Sequence, residues 1–409
     1  TKLVPNYRSL TVSTSQIFGR LTQSYEPLAQ ADFQTEMGAT GYHPGIGLLP
    51  EWDVAYLATR GDARALRAVL VNGCAAGRYG THFRDEVTMR PLRFSDHPNL
   101  VMNDGSGVSF IGASSTRQYT PAIAGASPPA YDSPHHPSMG FMAYLLSGFH
   151  YFIEETQLLA TANFLKNSDE TRRFSKGVFE SSAGANITRG AAWSIRTLAQ
   201  ALALTPDDDS LRAELLNSLQ SNVAHYHRRY VETPNNPLGL IQPYDHYDGT
   251  DNWTAAPWMD DFFTATMGYV KDLKLVDADT ATQLDSFLTW KYRSVVGRLG
   301  GSGSDQYSFR FAAQYTVPYA PKNDANWDDG SGPWYASWGE VARVMNLSPV
   351  GNDGDLLESG YPETATAYWG NLMPALSYAV DHGADGAARA FQRLSTAANI
   401  GPQVLDYND

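Results

Sequence analysis

The chain has 409 residues, with 30 Lys and Arg against 43 Asp and Glu and a formal charge of −13. Neutralising phosphates needs clustered basic surface, so this balance excludes a nucleic-acid binder. Hydrophobic residues at 43% and charged residues at 18% describe a soluble globular protein with an ample core, and no stretch approaches the roughly 18 continuous apolar residues of a membrane span.

The single cysteine, Cys74, excludes an internal disulfide and a multi-cysteine metal site, and its apolar run AVLVNGCAAG predicts a buried, inert thiol. The sequence opens on TKLVPNYRSLTV, without Met or a secretory apolar segment. This predicts a chain beginning after a removed signal peptide, in a secreted or periplasmic setting, or a piece of a longer protein. Residues 1–50 read as an extension packing on one domain that spans 1–409.

The first helical period is EWDVAYLATRGDARALRAVLVNGCAAG, with Trp52, Tyr56 and Leu57 on one stripe and Leu66, Val69 and Leu70 on another. Gly61-Asp62 between them predicts a tight turn and an antiparallel helix. The same grammar recurs with breaks at Ser147-Gly148, at Thr205-Pro206-Asp207, at Val276-Asp277, where Asp277 suits an N-cap, and at His382-Gly383. DQYSFRFAAQYTVPY and PWYASWGEVARVMNL make a looser pair before the last one, either two helices or one helix and a loop. Six tandem hairpins result, with long polar inserts at about 78–134, 232–256 and 298–333 ahead of first helices. Solenoid repeats hold a fixed period, whereas these do not. The expected fold is all-α, an (α/α)6-type toroid with first helices inside, second helices outside and the long loops on one rim.

First-helix N-termini would then face a cleft. They carry Glu51, Trp52 and Asp53; His135 and His136; Arg189 and Trp193; Trp258, Asp260 and Asp261; Trp334 and Trp338; Glu363 and Trp369. Carboxylates, histidines, an arginine and tryptophans on one rim suit sugar processing. Asp260 and Asp261 point about a hundred degrees apart on a helix and are flanked by bulky apolar groups, which raise a carboxyl pKa toward that of a general acid.

PWMDDFF at 257–263 resembles the Trp-x-Asp-Asp segment of the six-hairpin glycosidases, in particular the unsaturated uronyl hydrolases, and TRGAAWSIRTLAQAL at 188–202 is similar to their Arg-Gly-(Gln/Asn)-(Ala/Gly)-Trp segment. Ala191 stands where that family has Gln or Asn, and the two segments come in reverse order. The resemblance implies an (α/α)6 toroid, Asp260 as proton donor or base with Asp261 as its electrostatic partner, and sugar binding by Arg189 and Trp193. Toroids of this kind also include polysaccharide lyases.

Hydrolysis needs two carboxyl groups, about 5 Å apart for retention and about 6.5–9.5 Å for inversion. Asp260 or Asp261 would supply one, and Glu51, Asp53, Asp85 or Glu86 the other. Elimination needs a base at the uronate C5, an acid at the leaving oxygen and a group that neutralises the carboxylate, a cast that Tyr131, His135, His136 and Arg189 fit. The arginines of HFRDEVTMRPLRFSDHPNL, Arg84 among them, would fence a uronate, or form a self-satisfied ion-pair loop. Trp52 and Trp258 would stack or pack. QPYDHYDGTDNW and NDANWDDGSGPW offer oxygen ligands to Ca²⁺ without EF-hand spacing, so no cofactor is expected. The expectation is an enzyme cleaving a uronate-containing oligo- or polysaccharide, with hydrolysis ahead of elimination. A toroid that binds a glycan without cutting it is the non-enzymatic alternative.

Overall fold

The computed structural model describes residues 2–7, 9, 18–33, 45–103, 107–110, 131, 133–134, 136–167, 170–180, 188–242, 253–301, 303–312, 316–321, 332–347 and 365–396, with side chains throughout except at 102–110 and 365–371. Among these, twelve α-helices dominate, and strands form two small two-stranded sheets. The chain divides into two compact units. Unit 1 holds Thr1–Met37, Pro44–Asn186 and Trp193–Asn222, and unit 2 holds Gly38–His43, Ile187–Ala192 and Val223–Asp409.

In unit 1, α1 (Glu51–Ala58) and α2 (Ala63–Ala75) pack as a hairpin. Gly61 at φ +96 makes the turn, and Asp62 caps α2 by accepting from the Arg64 N–H at 2.8 Å. The buried face of α2 is not the stripe of large residues. Ala65, Ala68, Val69 and Asn72 are buried, whereas Leu66 and Leu70 are half-buried. Small residues win because the neighbours come close: a Cβ on Gly73 would lie 2.8 Å from Ala143 and Phe152.

α3 (Phe141–Ser147) ends at Gly148, whose φ of +70 suits only glycine readily, and α4 (His150–Lys166) follows. α4 is buried on nearly every side from Phe152 to Leu165, so each polar residue in it needs a partner. The hairpin of β1 (Leu100–Asn103) and β2 (Gly107–Phe110), with Leu100 opposite Phe110, packs beside α4. Two further helices, α5 (Thr188–Leu204) and α6 (Ser210–His227), flank the expected break at 205–207.

Unit 2 is built around α7 (Pro257–Leu273), which opens with Pro at its first position. Asp277 caps α8 (Ala278–Lys291) as the sequence suggested, accepting from the Thr280 N–H at 2.8 Å. The helical stretch after this turn breaks at Tyr292, giving a separate α9 (Arg293–Gly300). α10 (Trp338–Val344), α11 (Ala365–Asp381) and α12 (Ala387–Ser395) complete the set, and α11 packs on both α7 and α12. The fifth pair departs from two helices. Around DQYSFRFAAQYTVPY, short 3₁₀ turns at Gly303–Asp305 and Phe309–Phe311 precede β4 (Val317–Ala320), which pairs antiparallel with β3 (Trp253–Ala255). All four β4 residues are buried, and Val317 and Tyr319 join Trp338, Tyr335 and Leu238 in one apolar cluster.

Among the described residues, no helix is long and apolar enough to cross a membrane.

Candidate functional site

In unit 1, the segment from Tyr131 to Gly140 is anchored along α4. Lys166, near the end of that helix, donates to the Tyr131 carbonyl, and Thr156, ten residues earlier, donates to the Met139 carbonyl at 2.8 Å. Asn163 lies two helical turns beyond Thr156 on the same face, between these anchors. From α5, Arg196 is fully buried and donates to the carbonyls of His136 at 3.0 Å and Gly47 at 2.5 Å, with its guanidinium 4.8 Å from the Trp193 ring.

These anchors hold an aromatic chain. The Trp52 and Phe33 rings are 5.1 Å apart, Phe33 and Tyr79 are 5.6 Å apart, Tyr79 and His136 are 5.3 Å apart, and His136 stacks on Tyr131 at 5.1 Å. Four of the expected site residues, Trp52, Asp53, Tyr131 and His136, are thus buried in unit 1 with Trp193, and His135 lies outside the described residues.

Several polar groups in this unit have no hydrogen-bond partner among the described residues. The hydroxyls of Tyr79 and Ser138 and both amide atoms of Asn163 are buried and make no hydrogen bond among the described residues. On α4, Glu155 bonds His82 at 2.9 Å and Gln157 bonds Thr205 at 3.0 Å, whereas the Thr161 hydroxyl and the Asn163 amide make no hydrogen bond among the described residues. Asp53 is buried beside Ser138 on a void of about 10 Å³, the size of one water, and desolvation raises its pKa well above the ordinary carboxylate value. Burial pushes the Tyr79 phenol up to about 12. Buried polar groups are normally satisfied, so each of these is a candidate for a water or ligand contact.

In unit 2, Asp260 and Asp261 sit on the first turns of α7, both buried. Asp260 is fully engaged: Oδ1 accepts from the Ile241 N–H at 2.9 Å, and Oδ2 accepts from Lys291 Nζ at 2.5 Å and Ser294 Oγ at 2.7 Å. Asp261 pairs with Arg298 through Oδ1, while its Oδ2 has no partner among the described residues. Desolvation raises the Asp261 pKa to about 6 against the opposing pull of Arg298. Arg189 stacks on Trp258 at 5.1 Å.

The basic loop of unit 1 spends its cations on ion pairs. Arg84 pairs with Glu154 at 2.7 Å, Arg93 with Glu214 at 3.2 Å, and Arg90 with Asp209. Arg84 holds the Glu154 carboxyl below its ordinary pKa. Glu51 pairs with Arg20, and Trp338 donates its indole N–H to the carbonyls of Leu238 and Arg293. Glu363, the side chain of Trp369 and the suspected Ca²⁺ segments at 243–252 and 323–331 lie outside the described residues. Among the described residues, no cluster of three His, Cys, Asp or Glu side chains is arranged to hold a metal.

The residues missed in the sequence are Tyr79, Ser138, Asn163, Lys166 and Arg196. Asn163 carried the clearest signal, a lone amide inside the apolar run LLATANFL. No protein-family model matches the chain, and no curated protein is significantly similar to it.

Proposed function

We propose that the protein cleaves a uronate-containing oligo- or polysaccharide by β-elimination, with its chemistry in unit 1. The observation that carries this reading is the unsatisfied amide of Asn163 on the helix that anchors the Tyr131–His136 stack. In the proposed reaction the Asn163 amide and the Asp53 carboxyl, whose burial favours the protonated form, donate to the uronate carboxylate and make its α-hydrogen more acidic. His136 takes the proton from C5, the electron pair forms the C4–C5 double bond, and the C4–O bond breaks. Tyr79, whose raised pKa keeps it protonated at neutral pH, gives its proton to the leaving oxygen. Tyr131 packs on the imidazole and fixes its plane, and Trp52 and Trp193 wall the site. We also propose that the helical pairs close into an (α/α)6 ring.

Hydrolysis is the second reading, favoured by one observation in unit 2: Asp261 keeps a free oxygen and a pKa near the range of a general acid. Arg189 and Trp258 would bind the sugar there. Asp260 is less suited to proton transfer, because three donors occupy its carboxylate.

Digestion of a panel of uronate polysaccharides separates these readings. Elimination predicts a rise in the ultraviolet absorbance of an unsaturated uronate, with a loss of roughly a hundredfold in His136→Ala and Tyr79→Phe at unchanged circular dichroism. New reducing ends without that absorbance would replace elimination by hydrolysis. Binding without either product would leave a glycan-binding protein.

A further inference from the structure

Unit 2 contains a cleft of about 490 Å³, within the range of small-molecule sites, that involves neither Asp260 nor Asp261. Its walls come from α8 and α9, the start of α10 and the turn between α11 and α12. We infer that this cleft is a second ligand site, built for a small amine-bearing polyol of the amino-sugar class. The inference does not depend on the reaction proposed for unit 1.

The proton bookkeeping of the wall carries it. Tyr292 Oη lies 2.5 Å from His382 Nδ1, and His382 Nε2 lies 3.1 Å from Asp272 Oδ1. The Asp272 carboxylate can only accept, so Nε2 bears a hydrogen, and in the neutral ring Nδ1 then presents a lone pair. Tyr292 donates its proton to that neutral ring, and burial raises the Tyr292 pKa so that the phenol stays protonated. What remains on Tyr292 Oη is acceptor capacity. Asp285, Asp305 and Asp385 add further acceptors to the lining. Of the two cations there, Lys271 is already paired with Asp285 at 2.9 Å, which leaves Arg293. Two cations against three carboxylates give the lining a charge of −1 with His382 neutral. Trp338, Leu288 and Val296 supply apolar surface for a sugar ring. A ligand rich in donors and carrying a positive charge matches this wall, and a uronate does not.

The test is isothermal titration calorimetry with glucosamine, glucose and glucuronate as probes. Glucosamine should bind, glucose more weakly, and glucuronate not at all. Tyr292→Phe should weaken glucosamine roughly two- to tenfold by removing one acceptor. Asp385→Asn, on the exposed turn, should weaken it as well, with melting temperature unchanged in Asp385→Asn and circular dichroism unchanged in both variants. Glucuronate binding as tightly as glucosamine would overturn the assignment. So would glucosamine affinity unaltered in both folded variants, or no glucosamine binding at millimolar concentration.

Discussion

Asp260 receives hydrogen bonds from Ile241, Lys291 and Ser294 in a site closed to solvent, and desolvation lowers the Lys291 pKa while the carboxylate opposes that shift. Removing the negative charge strands a buried ammonium, which costs about 3–5 kcal/mol. Asp260→Asn should therefore lower the urea midpoint strongly, while the fraction that stays folded keeps cleaving substrate under the elimination reading. Loss of all cleavage at intact stability would return Asp260 to the chemistry. The sequence placed Asp260 correctly on a first helical turn, but its side-chain partners Lys291 and Ser294 lie 31 and 34 residues away. Nothing local in TWKYRSVV announces that Lys291 is buried. A second residue-scale prediction concerns His82, whose pKa is raised chiefly by its hydrogen bond to Glu155. A raised folded pKa contributes stability that is whole below the unfolded value of about 6.5 and is lost as the pH climbs through the folded one. The melting temperature gap between the native chain and His82→Gln should thus shrink from about pH 6.5 upward. A gap that widens instead would mean that the pair is not charge-assisted.

Helices meet here through small residues, and α7 against α11 shows the cost of changing one. A Cβ on Gly268 would lie 2.6 Å from Tyr378 Cγ, too close for any real contact. Gly268→Ala is expected to destabilise by about 1–3 kcal/mol through overpacking, despite the better helix propensity of Ala. Chemical denaturation measures this, and an unchanged midpoint would show that α11 moves aside freely. Helix ends were the most legible elements, because Gly61, Gly148, Asp277 and Gly383 act through local backbone chemistry. The fifth pair was not legible. Its aromatic run suits a helix stripe as well as a short buried strand, and the pairing of β4 with β3, with 61 residues of chain between them, decides the outcome. The stripe on α2 misled for a related reason, since packing distance and not side-chain size selects Ala65 and Ala68 as the contact face.

At the scale of the whole molecule, a charge of −13 repels a polyuronate before any contact forms. The recognition groups proposed in unit 1 are a neutral amide and a neutral carboxyl, which salt barely weakens. The ratio kcat/KM on a polyuronate should therefore rise as salt approaches roughly 0.1 M, where the screening length falls to about 10 Å. A steady fall with salt would instead mean that the loop arginines break their ion pairs to hold substrate. Cys74 gives the means to watch that site directly. It is half-buried rather than buried, desolvation raises its thiol pKa, and its neighbour Gly73 lines the void beside Asp53. Because it is the chain's sole thiol, one fluorinated or fluorescent tag attached under alkaline conditions yields a homogeneous reporter without any engineering. The occupancy of the unit 1 site then becomes a spectroscopic signal that can be followed even where no product forms.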